Sequence, residues 1–387
     1  MKNEFENLLS QTCTALNDMN ITRYTDVQRA VIPHAMNHED ILAQAATSSG
    51  KTLAYLIPVL QDLQLQGKKK HKPAVLILCP TRELCMQTAE VIRSMLKKRE
   101  GFRTAILCGG VSMDAQIRTC RNGEDIVVGT PARVIDHLRR HTFKPVLCRT
   151  LVLDEADEML SMGFKEDVET VIASLPEHQT MMFSATFNTD VEELAGKILN
   201  NPFTVHIKDE HLLKQKIDYN EIIVHEHDKP DILMNLLSKS KGQTIVFTNT
   251  RRTCDFVSQF LDKRDMQAAS IHSEMDFKLR KEIMQSFRDQ HLPILLATDV
   301  AARGIDIPSV ETVILYDLPD TQESLIHRTG RTARAGNSGT AYIFVLPEEK
   351  NRFKLNDMFE GISLKTFHSP SHTGNTKKRY HAGSNKR

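Results

Sequence analysis

The chain lacks the marks of several large protein classes. Its seven cysteines are odd in number, run from Cys13 to Cys254, and include no C-x-x-C pair. That excludes a disulfide framework and a cysteine-based zinc site, and it points to a reducing compartment, the cytoplasm. No apolar run approaches the roughly 20 residues that a membrane-spanning helix needs; stretches such as 74–79 and 294–297 are of strand length. The first six residues, with two glutamates and a lysine, contain no apolar signal segment, so neither secretion nor membrane insertion is expected. Net charge is nearly absent too. Fifty Lys and Arg stand against 49 Asp and Glu, a formal +1, which by itself argues neither for nor against a polyanionic partner.

What is present is a globular composition, 40% hydrophobic and 26% charged, in 387 residues. At about 100 to 200 residues per domain this predicts two or three domains. Short Val-, Ile- and Leu-rich runs at 40–43, 74–79, 125–128, 150–153 and 180–183 alternate with helical patterns. Such alternation predicts βαβ units and a parallel sheet covered by helices. The rhythm pauses over a charged stretch and resumes at 243–247, 268–272, 294–297, 312–316 and 340–345. The expected layout is a first domain over 1–207, a linker over 208–218 and a second domain over 219–367. Residues 368–387 carry almost no apolar side chain to bury, and their five cations (Lys377, Lys378, Arg379, Lys386, Arg387) meet no acid. A disordered basic tail is expected there.

Ala46-Thr47-Ser48-Ser49-Gly50-Lys51-Thr52 follows one strand candidate and precedes a helical stretch. Strand, loop and helix are the context of a P-loop, in which backbone N–H groups curl around a phosphate, Lys51 adds charge and the Thr52 hydroxyl reaches Mg²⁺. Alone, the loop is equally a turn before a helix. A second strand candidate runs straight into Asp154-Glu155-Ala156-Asp157. In an open parallel sheet ligands gather at the carboxyl ends of strands, so these acids belong beside the P-loop. Asp154 is placed to hold Mg²⁺ and Glu155 to orient and deprotonate a water. In isolation the same four residues also suit a helix N-terminus.

With these, an ordered set of motifs resembles the DEAD-box ATP-dependent RNA helicases. The set comprises Pro80-Thr81-Arg82-Glu83-Leu84, Gly109-Gly110, Thr130-Pro131-Ala132-Arg133, Ser184-Ala185-Thr186, the run 297–306 and the run 327–334. The resemblance covers about 340 residues, up to Gly336. It implies two tandem RecA-like domains, each a parallel sheet flanked by helices, with ATP in the cleft and RNA across both. Arg331 and Arg334 then correspond to arginine fingers. If their stretch is helical, they share a face with His327 and Arg328. Gln28 matches the adenine-reading glutamine, and Asp306 the residue that meets the ribose. Thr81, Arg82, Gly109, Gly110, Thr130, Arg133, Thr248, Arg280, Thr298 and Gly304 match contacts to the RNA backbone. Ser184 and Thr186, with Asp157 and His327, match the coupling between nucleotide and RNA sites.

The chain departs from the family pattern at several places. Ser48, Ala132, Ser273 and Ala333 replace glycines, Phe277 a glutamine, Ile21 the aromatic that stacks on adenine, and Tyr24 a proline. None removes a group that does chemistry. The resemblance implies an RNA-dependent ATPase that opens RNA locally, acting as a monomer, with ribonucleoprotein or ribosome-assembly partners among the family's common settings. The alternative is an ATP-gated RNA clamp or scaffold.

Overall fold

The computed structural model describes residues 5–45, 49–66, 73–96, 101–207, 216–240, 242–272, 274–299, 310–333, 338–350 and 364–368. Fourteen strands among them form two seven-stranded sheets in which every pairing is parallel. The first sheet is built from β1 (Ile41–Gln44), β2 (Val75–Leu78), β3 (Thr104–Leu107), β4 (Ile126–Gly129), β5 (Thr150–Leu153), β6 (Gln179–Ser184) and β7 (Phe203–His206), in the order β3-β4-β2-β5-β6-β1-β7. The second uses β8 (Lys216–Ile223), β9 (Thr244–Thr248), β10 (Ala268–Ile271), β11 (Ile294–Thr298), β12 (Thr312–Leu315), β13 (Ser338–Val345) and β14 (Leu364–His368), in the order β10-β11-β9-β12-β13-β8-β14.

The central strands β2, β4 and β5 are buried at every residue because helices cover both faces of the sheet. Alternate residues feed two cores. Val75, Ile77 and Val152 pack on one face of the first sheet, Leu76, Leu78 and Leu153 on the other. The second sheet divides its core in the same way. Local sequence sets the helix starts. Asn188, Thr250, Asp276 and Thr321 each accept a hydrogen bond from a backbone N–H of the following turn, and Pro131 opens its helix without needing a donor. Among the described residues no helix is long and apolar enough to cross a membrane. The seven cysteines are free thiols, six of them buried and Cys13 half-buried.

β8 begins at Lys216, within the stretch 208–218 expected as linker, and β14 ends at His368. The rest of that stretch, 208–215, and the tail beyond His368 lie outside the described residues.

Candidate active site

β5, β6 and β1 are neighbours, so their carboxyl ends bring together loops distant in sequence. From β1 the chain passes Gly50, at φ +94°, into the helix Lys51–Gln66. Lys51 is buried, and its Nζ has no hydrogen-bond partner among the described residues. The Asp154 and Glu155 carboxyls act on this ammonium through charge, and its donors stay open to acceptors from outside the fold. Ala46, Thr47 and Ser48 lie outside the described residues.

β5 ends one residue before Asp154. Burial pushes that carboxyl upward in pKa, opposed by the nearby Lys51 charge and by the Tyr55 hydroxyl, which donates to Asp154 Oδ2 at 2.8 Å. Tyr55 stands one turn after Lys51 on the same helix face, and its ring lies 5.3 Å from that of Phe183 on β6. Glu155 has φ +54°, a left-handed conformation that side chains rarely adopt. It turns the strand directly into the helix Ala156–Ser161. Such strain is of order 1 to 3 kcal/mol and is concentrated at functional sites. Burial raises the Glu155 carboxyl to about 7, against Lys51 and His327, which lower it.

The remaining members of the acidic motif look outward to β6. Asp157 Oδ2 accepts from the Thr186 N–H at 2.9 Å, the Thr186 hydroxyl at 3.0 Å and the Ala185 N–H at 3.2 Å, while Ser184 donates to the Thr186 carbonyl at 2.6 Å. Across the cleft, His327 of the second half lies 3.3 Å from Glu158 Oε1, the residue just after the acidic four.

Gln28 is buried and engaged within the protein. Its Oε1 accepts from the Thr25 N–H and its Nε2 donates to the Gly50 carbonyl, each at 3.0 Å, so it ties its own helix to the phosphate loop. Ile21 is half-buried, and the Tyr24 ring packs edge-on against Phe5 at 5.0 Å.

A second cluster forms where β2, β3 and β4 end. Arg82 donates to the Gly110 carbonyl at 3.0 Å and Arg133 to the Val111 carbonyl at 3.2 Å. Buried Gln116 grips the same turn through Cys108 and Val111. Gly110 has φ +70°, and an added Cβ there would strike Arg82. Thr81 caps the helix Arg82–Leu96 by accepting from the Leu84 N–H, whereas the Thr130 hydroxyl makes no cap bond. On the second half, Thr298 is buried, and Thr248 is fully buried with its hydroxyl donating to the Thr250 carbonyl. Arg280 crosses to pair with Glu83 and also donates to the His272 carbonyl at 3.2 Å.

The helix Gln322–Thr329 stops before Arg331. The shared helical face expected for His327, Arg328, Arg331 and Arg334 therefore does not extend to Arg331. Gly330 ends the helix, and Arg331 is buried with its carbonyl accepting from the Val310 N–H at 3.1 Å. Arg328 holds a network of four hydrogen bonds. It binds Asp299 through two nitrogens at 2.6 and 2.8 Å, the Asp317 carbonyl at 2.9 Å and Asn249 Oδ1 at 2.7 Å. Arg334, Gly304, Asp306 and Ser273 lie outside the described residues. Ala333 occupies the left-handed region at φ +57°, where a glycine is at ease, while Ala132 is exposed in the first turn of its helix, where alanine is favoured. Tyr55, Glu158, Gln116 and Asn249 are site neighbours that the motif pattern did not single out. For Tyr55 the signal was present, since spacing of four from Lys51 puts both on one helix face.

Residues 25–194 match the family model DEAD/DEAH box helicase, and residues 228–336 match the helicase conserved C-terminal domain. The solved structure of a DEAD box protein from Methanococcus jannaschii is 32% identical, covering 94% of this chain and 99% of that one, with a TM-score of 0.52. The chain belongs to the DEAD-box helicase family. Its two sheets are the paired RecA-like domains of that family. Against Saccharomyces cerevisiae Dbp5 bound to RNA and ADP BeF3, this DEAD-box chain is 27% identical over 95% of its length and 96% of the other, with a TM-score of 0.82. The ATP-dependent RNA helicase DeaD of Buchnera aphidicola is 37% identical over 358 residues, which are 92% of this chain and 59% of DeaD. The chain thus spans less than two thirds of that relative's length.

Proposed function

We propose that this chain is an ATP-dependent RNA helicase, hydrolysing ATP to ADP and phosphate as its two domains close on RNA and separating short duplexes locally. The observation that carries the reading is the buried Lys51 ammonium, without a hydrogen-bond partner among the described residues, beside the Asp154 and Glu155 carboxyls, where β1 and β5 end on either side of β6. A polyphosphate supplies the hydrogen-bond acceptors that Lys51 lacks among the described residues. Glu155, raised to about 7, suits a base that takes a proton from water near neutral pH. His327 reaches Glu158 from the second domain, and Arg331 and Arg334 are our candidates for the arginine fingers that neutralise charge on the transferred phosphoryl.

Mg²⁺ fits the same residues. Asp154 and the Thr52 hydroxyl are oxygen ligands, and this ion commonly uses one or two carboxylates, retained waters and substrate phosphates rather than a full protein cage. When bound, the ion neutralises charge on the phosphates. Gln28 would read adenine only by giving up the Thr25 N–H and Gly50 carbonyl that its amide holds here. RNA follows the surface formed by Arg82, Gly110, Thr130 and Arg133 and continues to the second domain near Arg280. These groups address the sugar-phosphate backbone, so the reading implies little base preference. The free thiols support a reducing, cytoplasmic setting, and domain limits of 1–207 and 219–367 remain our division, with β8 reaching back to Lys216.

The test is strand separation of RNA, DNA and mixed duplexes with and without ATP. Unwinding of RNA-containing duplexes that requires ATP supports the proposal. ATP-dependent retention of RNA without strand release identifies a clamp, and equal unwinding of DNA duplexes refutes the RNA assignment.

A further inference from the structure

We infer that Tyr55 is a positioning residue for the divalent ion, fixing the Asp154 carboxylate in the orientation that receives it; this rests on the nucleotide-site reading above. The Tyr55 hydroxyl donates to Asp154 Oδ2 at 2.8 Å, and both residues are buried. A hydroxyl on one carboxylate oxygen stops rotation about the terminal bond and leaves the other oxygen for a ligand. The ring is itself immobilised by Phe183, 5.3 Å away on the strand that continues into Ser184. Its helix starts at Lys51, so one rigid element carries both the ammonium for phosphate and the hydroxyl that orients the metal-binding acid. The pairing thereby links the phosphate loop, the acidic motif and the strand leading to the coupling motif.

Groups that orient a metal ligand in this way typically alter metal affinity by about 10- to 100-fold when removed. Tyr55→Phe deletes the hydroxyl and keeps the ring against Phe183. In the full-length protein, a fluorescent ADP analogue is titrated with Mg²⁺, and separately with Mn²⁺, and nucleotide affinity is measured again in EDTA. The half-saturating ion concentration is expected to rise about tenfold or more, with affinity in EDTA unchanged. A purely structural role would lower the melting temperature without moving the ion dependence, and that outcome overturns the inference. As a measurement that does not depend on the variant's folding, 3-fluorotyrosine placed at residue 55 reports the hydroxyl directly. Its ¹⁹F resonance is expected to shift when Mg²⁺ joins bound ADP, and an unmoved resonance overturns the inference. Wild-type protein that binds nucleotide with no dependence on either ion overturns the metal-site reading as well; ion-dependent wild type with an indifferent Tyr55→Phe overturns this inference alone.

Discussion

Glu155→Gln should stabilise the nucleotide-free protein, by an amount that grows as pH rises from about 4.5 to 7. Burial lifts this carboxyl from its ordinary 4.5 to about 7. A carboxyl whose folded pKa exceeds its unfolded one is protonated more readily in the native state, so its contribution to stability falls as pH rises from 4.5 to 7 and stays low above that. At 1.36 kcal/mol per pH unit the gap is worth at most about 3.4 kcal/mol. Glu155 is half-buried, and solvent screening reduces the figure to about 2 kcal/mol. Glutamine keeps the shape and removes the charge, so it recovers that amount at pH 8 and almost none at pH 4. For a domain of about 200 residues this corresponds to a melting point roughly 4 to 8 °C higher at pH 8. Paired thermal melts at the two pH values, followed by circular dichroism without nucleotide, measure it. An equal difference at both pH values, or none at pH 8, would falsify the account of Glu155 as a carboxylate held at a desolvation cost. The same substitution removes the base for water, so ATP hydrolysis should fall at least a hundredfold while ATP and RNA stay bound.

Lys51→Ala should abolish RNA-stimulated ATP release of phosphate while leaving the circular dichroism spectrum unchanged, since its Nζ supports no bond in the fold; wild-type turnover would refute the phosphate-loop assignment. Arg328→Met should cost about 3 kcal/mol in urea unfolding of the second domain, because Asp299 and Asn249 lose their buried partner, and a loss below 1 kcal/mol would show that the network is redundant. Deleting residues 369–387, after the last paired strand residue, should weaken RNA binding at low salt and lower the slope of log K against log salt by up to roughly 3.5, with RNA-saturated turnover unchanged. Equal slopes would remove the electrostatic role of the five tail cations.

Strands built on an apolar run were legible, and strands without one were not, whether at an edge or, like β8, inside the sheet. β2, β5, β9, β11 and β12 stand where continuous Val, Ile and Leu predicted them. β3 and β7 flank the first sheet with half-exposed patterns, and β8 carries Asp218, Asn220 and Glu221 within its strand, so none shows such a run. The site divides similarly. Lys51, Asp154 and Glu155 were legible because their chemistry requires those residue types at the ends of strands. Spacing put Tyr55 on the face of Lys51, but its bond to Asp154, like the contacts of Glu158 and Asn249, depends on what a distant segment places within reach of an ordinary hydroxyl, carboxylate or amide. The end of the helix at Thr329 was hidden for another reason. Spacing of three or four between basic residues has no information about where Gly330 halts the helix.

The burial of six of the seven cysteines gives the molecule an unplanned convenience for single-molecule work. A thiol-reactive dye meets one half-buried sulfur, Cys13, in the first domain and leaves the interior thiols untouched while the fold holds. Replacing Cys13 by serine and adding one exposed cysteine to each domain therefore yields a donor–acceptor pair without rebuilding the core, and the opening and closing of the cleft can be timed by energy transfer.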